Sequence, residues 1–154
     1  MVERREVREL VIKALYAEEV SGNDWGQILS AIVKPKFRGN KKNYKFAEKL
    51  YFETLNHREE LDQVIETHIK NWDFDRLATT DKSILRAAVC EFLYFKEVPT
   101  KVTINEAIEI AKSYSTKKSG NFINGVLDAA LAQLQKDERI KKSGRGLIES
   151  SINS

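Results

Sequence analysis

Residues 112–128 read KSYSTKKSGNFINGVLD, and their types suggest phosphate chemistry. Ser, Thr, Lys and Gly are the residues that cradle phosphoryl oxygens, and Asn-Gly is a common tight turn. A nucleotide-binding loop, however, needs two glycines bracketing four residues and then Lys-Ser/Thr, placed after a buried strand. STKKSG lacks the first glycine, and a helical pattern precedes it. A second candidate is ERREVREL, residues 3–10. On a helical wheel with Arg4 at zero, Arg8 falls at about 40° and Arg5 at about 100°, while Glu9 and Glu6 fall at about 140° and 200°. The interleaved charges separate into an Arg flank and a Glu flank, with Tyr16 near the Arg side. Three guanidiniums beside an aromatic ring suit single-stranded RNA, whose phosphates need cations and whose bases stack on rings. The same residues also fit a plain solvated helix with Arg-Glu pairs four apart, such as Arg5 with Glu9.

Metal and catalytic chemistry find less support. His57, His68 and Cys90 are the soft ligands present, and they form no recognised metal spacing. Cys90 reads as a small buried hydrophobe inside a helix. No Ser-His-Asp or Cys-His constellation can be assembled, and the carboxylates read as helix surface. The expectation is a protein with no enzymatic activity, no cofactor and no metal.

The elements that must position these residues are helices. Val7, Leu10, Val11, Ala14 and Leu15 recur at three-to-four spacing, predicting a helix from about Glu3 to Val20, with Gly22 as a left-handed cap. A short helix from Asn23 or Asp24 would carry Trp25, Ile28, Leu29 and Ile32. KPKFRGNKKNYK, residues 34–45, reads as a loop with six basic residues and no acid. Helices follow over about Tyr44–Leu55 and 58–72. Thr79-Thr80-Asp81 reads as the N-cap of the most hydrophobic helix, which carries Ile84, Leu85, Val89 and Phe92. Thr103-x-x-Glu106 matches a capping box. The last long helix should run from about Ser119 to Gln135. Asn124-Gly125 sits inside that pattern, so it is no turn, and Gly125 would let another helix approach closely. Residues 1–135 form one domain, and 136–154 a polar, flexible tail.

Composition agrees. The chain has 154 residues, 42% hydrophobic and 32% charged, with seven Gly and two Pro. These proportions support a packed interior but not a many-stranded sheet protein. No apolar run approaches a membrane span, the N-terminus has no signal-peptide core, and a lone cysteine forms no internal disulfide. A cytoplasmic protein with no membrane association is expected. Residues 1–45 carry ten Lys/Arg against six Asp/Glu, residues 46–111 eight against thirteen, and residues 112–154 eight against four. Two basic ends flanking an acidic middle could serve a polyanion and a basic partner at once.

RREVRELVIKALYAEEVSGND, RAAVCEFLYFKEVPTKVTINEAIEIAKSYS and KKSGNFINGVLD together resemble the NusB family of bacterial transcription antitermination factors, in order from Arg4 to about Ala130. The resemblance implies an all-α fold of about seven helices in two packed three-helix lobes, with no sheet. It implies pairing with NusE, a small-subunit ribosomal protein, and joint binding of boxA RNA. It also implies service in the RNA polymerase antitermination complex, promoting read-through of ribosomal RNA operons. Some members self-associate, so a homodimer is among the states it allows. The family's Arg motif falls on Arg4, Arg5 and Arg8, and its Ala-Leu-Tyr on Ala14, Leu15 and Tyr16. The second RNA-facing region, the loop entering the last helix, falls on Lys117, Lys118, Ser119, Asn121 and Phe122. Lys would meet phosphate there, and Phe122 would be a stacking ring unless the core claims it. Asn105 and Glu106 look structural. The partner surface would include Asp75, Arg76, Asp81 and Lys82.

Two departures stand out. Glu3, Glu6 and Glu9 interrupt the Arg motif, and Lys118 stands where many relatives carry an acid. The basic surface is thus expected to be redistributed, with Lys118 and the 34–45 segment offsetting the diluted motif. The alternative is a NusB-fold interaction adaptor with little RNA binding of its own. NusB-like domains also precede ribosomal RNA methyltransferases, but no Gly-rich strand-to-helix motif follows here.

Overall fold

The computed structural model describes residues 3–69, 74–114 and 116–147. These hold seven α-helices and, among the described residues, no strand. Helix α1 (Arg4–Ser21) buries Val7, Val11, Ala14 and Leu15. It ends as its glycine dictates: Gly22 has φ 69° and its N–H donates to Glu18 O at 3.0 Å. Asp24 then caps α2 (Trp25–Ile28), accepting from the Gly26 N–H. The chain continues through a π-helical turn, Leu29–Val33, and a 3-10 turn, Lys34–Phe37.

Helix α3 (Lys41–Asn56) starts earlier than its apolar pattern suggests, because Asn40 accepts from the Asn43 N–H and caps it. Lys41, Lys42 and Lys45 therefore stand on a helix and not in a loop. His57 separates α3 from α4 (Arg58–Thr67). Of the helix expected over 58–72, residues 70–72 lie outside the described residues. Helix α5 (Thr79–Tyr94) is the hub, with every residue from Ser83 to Phe92 buried. It packs against α1, α3, α4, α6 (Thr100–Tyr114) and α7 (Lys117–Lys136). Helices α1, α2 and α3 form one lobe and α5, α6 and α7 the other, with α4 lying against α3, α5 and α7.

Four local expectations are corrected. Helix α5 starts from Ala78 without a side-chain cap, and Asp81 is drawn instead to Ser119. The Thr103–Glu106 capping box does not form. Helix α6 begins at Thr100, so Thr103 lies in its first turn, its N–H bonded to Pro99 O at 3.2 Å. Close helix approach belongs to Gly120 and not Gly125. A Cβ on Gly120 would lie 3.0 Å from Lys112 Cγ and 3.5 Å from Ile108 Cγ2, whereas one on Gly125 would meet nothing within 4 Å. Finally, residues 137–147 are not a free tail. Glu138, at φ 58°, turns the chain out of α7. Lys142 Nζ then donates to Glu91 O at 3.0 Å and Phe95 O at 2.7 Å, closing carbonyls at the end of α5.

Candidate nucleic-acid interface

The N-terminal arginines emerge on α1, but α5 and α6 decide how much of each remains available. Arg8 is buried, because the Val7–Val11 face that packs α1 onto α5 carries Arg8 in with it. Its Nε and Nη2 donate to the two Glu91 carboxylate oxygens at 2.9 and 2.8 Å, and the Thr103 hydroxyl donates to Glu91 Oε1 at 3.1 Å. Burial opposes the Arg8 charge, but Glu91 outweighs it and holds the pKa above its ordinary value. Of the three guanidiniums expected to meet RNA, Arg8 is thus buried. It is a pin between helices, its Nε and Nη2 engaged by Glu91.

Arg5 is exposed yet also engaged, donating from Nε and Nη2 to Glu106 at 2.6 and 3.1 Å. The hydrogen bond from Arg5 holds the Glu106 carboxyl below the usual carboxylate range. Arg4 lies with its guanidinium 4.0 Å from the Phe46 ring centroid. Burial lowers its pKa, helped by the nearby Arg8. A stacked guanidinium keeps its N–H edge outward, so Arg4 can still donate in plane. Tyr16 lies twelve residues beyond Arg4, and is 42% exposed.

The three arginines share an open groove of about 690 Å³ with Glu3, Glu97, Val98, Pro99, Val102, Glu106 and Arg145. Sequence reasoning missed Phe46, Glu91 and Arg145. The first two are apolar and charged members of helices whose role appears only on packing. Arg145 lies in the segment read as a tail.

The second expected region is a helix start rather than a loop. Thr116 caps α7, accepting from the Ser119 N–H at 3.2 Å. Lys117 and Lys118 are exposed in the first turn, without an ion pair among the described residues. Asn121 is exposed, and Phe122 is half-buried against the core, so part of its ring is already covered. Ser119 is buried and its hydroxyl donates to Asp81 Oδ1 at 2.8 Å. That bond removes Ser119 from the surface and ties down Asp81, one of the partner candidates. Lys82 is held too, 3.8 Å from Glu19 and 5.5 Å from the Phe74 ring centroid. Asp75 and Arg76 remain exposed.

The least encumbered basic surface is the 34–45 segment. Lys34, Lys36, Arg38, Lys41, Lys42 and Lys45 are all exposed and none forms an ion pair among the described residues.

The NusB family model matches residues 5–132. This chain belongs to the NusB family. It is 49% identical to the transcription antitermination protein NusB of Salinibacter ruber, over 96% of this chain and 92% of that protein. Among solved structures it resembles T. maritima NusB at 36% identity and TM-score 0.78, covering 85% of this chain and 92% of the other. It also resembles a chain from a complex of NusB and NusE with double-stranded RNA, at 30% identity and TM-score 0.77, covering 84% and 96%. The NusB-type architecture of two helical lobes is thus the one described above. Among the described residues no group of three or more His, Cys, Asp or Glu could hold a metal, and no helix is long and apolar enough to cross a membrane.

Proposed function

We propose that this NusB-family chain is a transcription antitermination factor that binds boxA-type single-stranded RNA together with the ribosomal protein NusE. Within the RNA polymerase antitermination complex it would promote read-through of ribosomal RNA operons. The observation that carries this reading is the band of six exposed cations over residues 34–45, which form no ion pair among the described residues. Lys117 and Lys118 add two more at the N-terminus of α7, where the helix dipole also favours phosphate. Arg4 and Tyr16 supply a guanidinium edge and an exposed ring for a strand passing α1. The solved relative with NusE and RNA supports the choice of partners. Asp75 and Arg76, the exposed pair of the four partner candidates, are assigned to NusE.

The test is a titration of boxA-like RNA, a scrambled strand and a duplex at two salt concentrations, with and without NusE. About four phosphate contacts to a single strand predict that log K falls with log salt at a slope near −3. Tighter binding of boxA than of the other two, strengthened by NusE, is the expected result. Lys118→Glu should weaken boxA binding, and an unchanged affinity would remove Lys118 from the site. Equal or absent binding of all three RNAs, even with NusE, would leave an interaction adaptor of the same fold.

A further inference from the structure

The groove at the start of α1 is short of free positive charge. Arg8 is neutralised by Glu91, and Arg5 by Glu106. Glu3 and Glu97 add two more carboxylates to the lining. With Arg4 alone facing them, a phosphate would meet a wall that is net negative. One residue changes that balance, and it comes from the other end of the sequence: Arg145 lines the same groove, is exposed, and pairs with no carboxylate among the described residues.

Its position is fixed by the backbone on either side. Ile140 packs on the core, and Lys142 donates to the Glu91 and Phe95 carbonyls. The Ser143 N–H donates to Lys96 O at 3.0 Å, and the Gly146 N–H to Ser143 O at 2.9 Å. Gly146 is pressed so closely on Lys96 that a Cβ there would lie 2.0 Å from the Lys96 carbonyl oxygen. Residues 139–147 therefore form a docked strap, bonded through Lys142 to the same Glu91 whose carboxylate holds Arg8. Strap and α1 are registered on one residue.

We propose that the strap is part of the RNA site, with Arg145 acting beside Arg4 as a second guanidinium for the phosphodiester backbone of the bound strand. Arg4 stacks on Phe46 and offers its N–H edge, while Arg145 offers a second fork in the same groove. The two could hold successive phosphates, a role that the buried Arg8 cannot fill. This proposal rests on the RNA-binding reading above.

The experiment compares wild type, Arg145→Gln, Arg145→Lys, Gly146→Ala and Arg4→Gln, each with NusE and boxA-like RNA across a salt series. Arg145→Gln should weaken binding on the order of threefold to tenfold at low salt and flatten the salt slope by about 0.7, the share of one single-strand phosphate. Arg145→Lys should restore the slope. Gly146→Ala, which must lift the strap from Lys96, should weaken binding as Arg145→Gln does although Arg145 is intact. Thermal unfolding of Arg145→Gln should match wild type, since the side chain is exposed and forms no ion pair among the described residues. If Arg145→Gln and Gly146→Ala bind like wild type while Arg4→Gln is weakened, the strap lies outside the site and the RNA-binding reading survives without it. If wild type does not bind the boxA-like RNA at low salt with NusE present, that reading fails and takes this proposal with it.

Discussion

The start of α1 and the segment 34–45 are both rich in cations, yet they use their charges in opposite ways. Each arginine of α1 has an internal partner: Arg4 the Phe46 ring, Arg5 Glu106 and Arg8 Glu91. Two of those partners lie 101 and 83 residues away in sequence, on α6 and α5. The six cations of 34–45 have no ion-pair partner among the described residues and project into solvent. A cation that lands on a helix face packed against the hub is recruited into the fold. One on the outer turns stays available for a polyanion. A positive charge in a sequence thus measures potential for binding, and packing decides what remains of it.

The sharpest way to break this contrast is through stability. Arg8→Ala should cost about 3–5 kcal/mol in urea unfolding, because Glu91 would remain buried and uncompensated, and Glu91→Ala should do the same to Arg8. Lys41→Ala and Lys42→Ala should each stay within about 0.5 kcal/mol. Similar losses at all four positions would mean that the two regions do not differ.

RNA binding should respond in the reverse order. Replacing Lys36, Lys41 and Lys42 together by Gln should flatten the salt slope by about 2, with a loss on the order of tenfold to a hundredfold at low salt. Arg5→Gln should have a smaller effect, because Glu106 already engages that guanidinium. Glu106→Gln should then tighten RNA binding by releasing Arg5. A larger loss from Arg5→Gln than from the triple lysine change would overturn the ranking.

Two glycines of α7 sharpen the comparison at the level of packing. Gly125→Ala should raise stability by up to about 1 kcal/mol, since alanine favours the helix and nothing opposes its methyl group. Gly120→Ala should gain less or lose stability, because Lys112 must move aside. Identical shifts in the two melting temperatures would contradict the close approach of α6 at Gly120.

The smallest effect is a pH dependence. Bonding to Arg5 lowers the Glu106 pKa in the folded state, so the pair stabilises the fold above the unfolded carboxylate value of 4.5 and loses that contribution as pH falls through the lowered one. Both side chains are partly solvated, so the effect should stay below about 1 kcal/mol. Urea melts of wild type and Glu106→Gln should differ at neutral pH and converge as pH falls below the lowered carboxyl value. A constant difference across that range would remove the ion pair as its source.

These contrasts also explain what was legible in the sequence. The helices are written in local periodicity, and Gly22 marks the end of α1 because a left-handed residue there is a local demand. Asn124-Gly125 falls within one unbroken helical pattern, as its flanking Ile123 and Val126 require. Thr103 and Glu106 mislead because a capping box is judged from four residues, while both side chains are claimed across the bundle by Glu91 and Arg5. The same reason hides Arg8 and Ser119. Residues 137–147 have little apolar content to announce a docked segment. What secures them is Lys142 bonding the end of α5 and a glycine fitting under Lys96, and neither has a local signature.

Cys90, the sole cysteine, is fully buried in α5, and burial pushes its thiol up to about 12. Essentially no thiolate exists at neutral pH, so alkylating reagents should find nothing to react with in the folded protein. The molecule is therefore a ready background for site-directed labelling. A single cysteine placed on an exposed position such as Lys42 or Lys117 would carry a fluorophore or cross-linker without removal of the native one, and would report directly where an RNA strand runs.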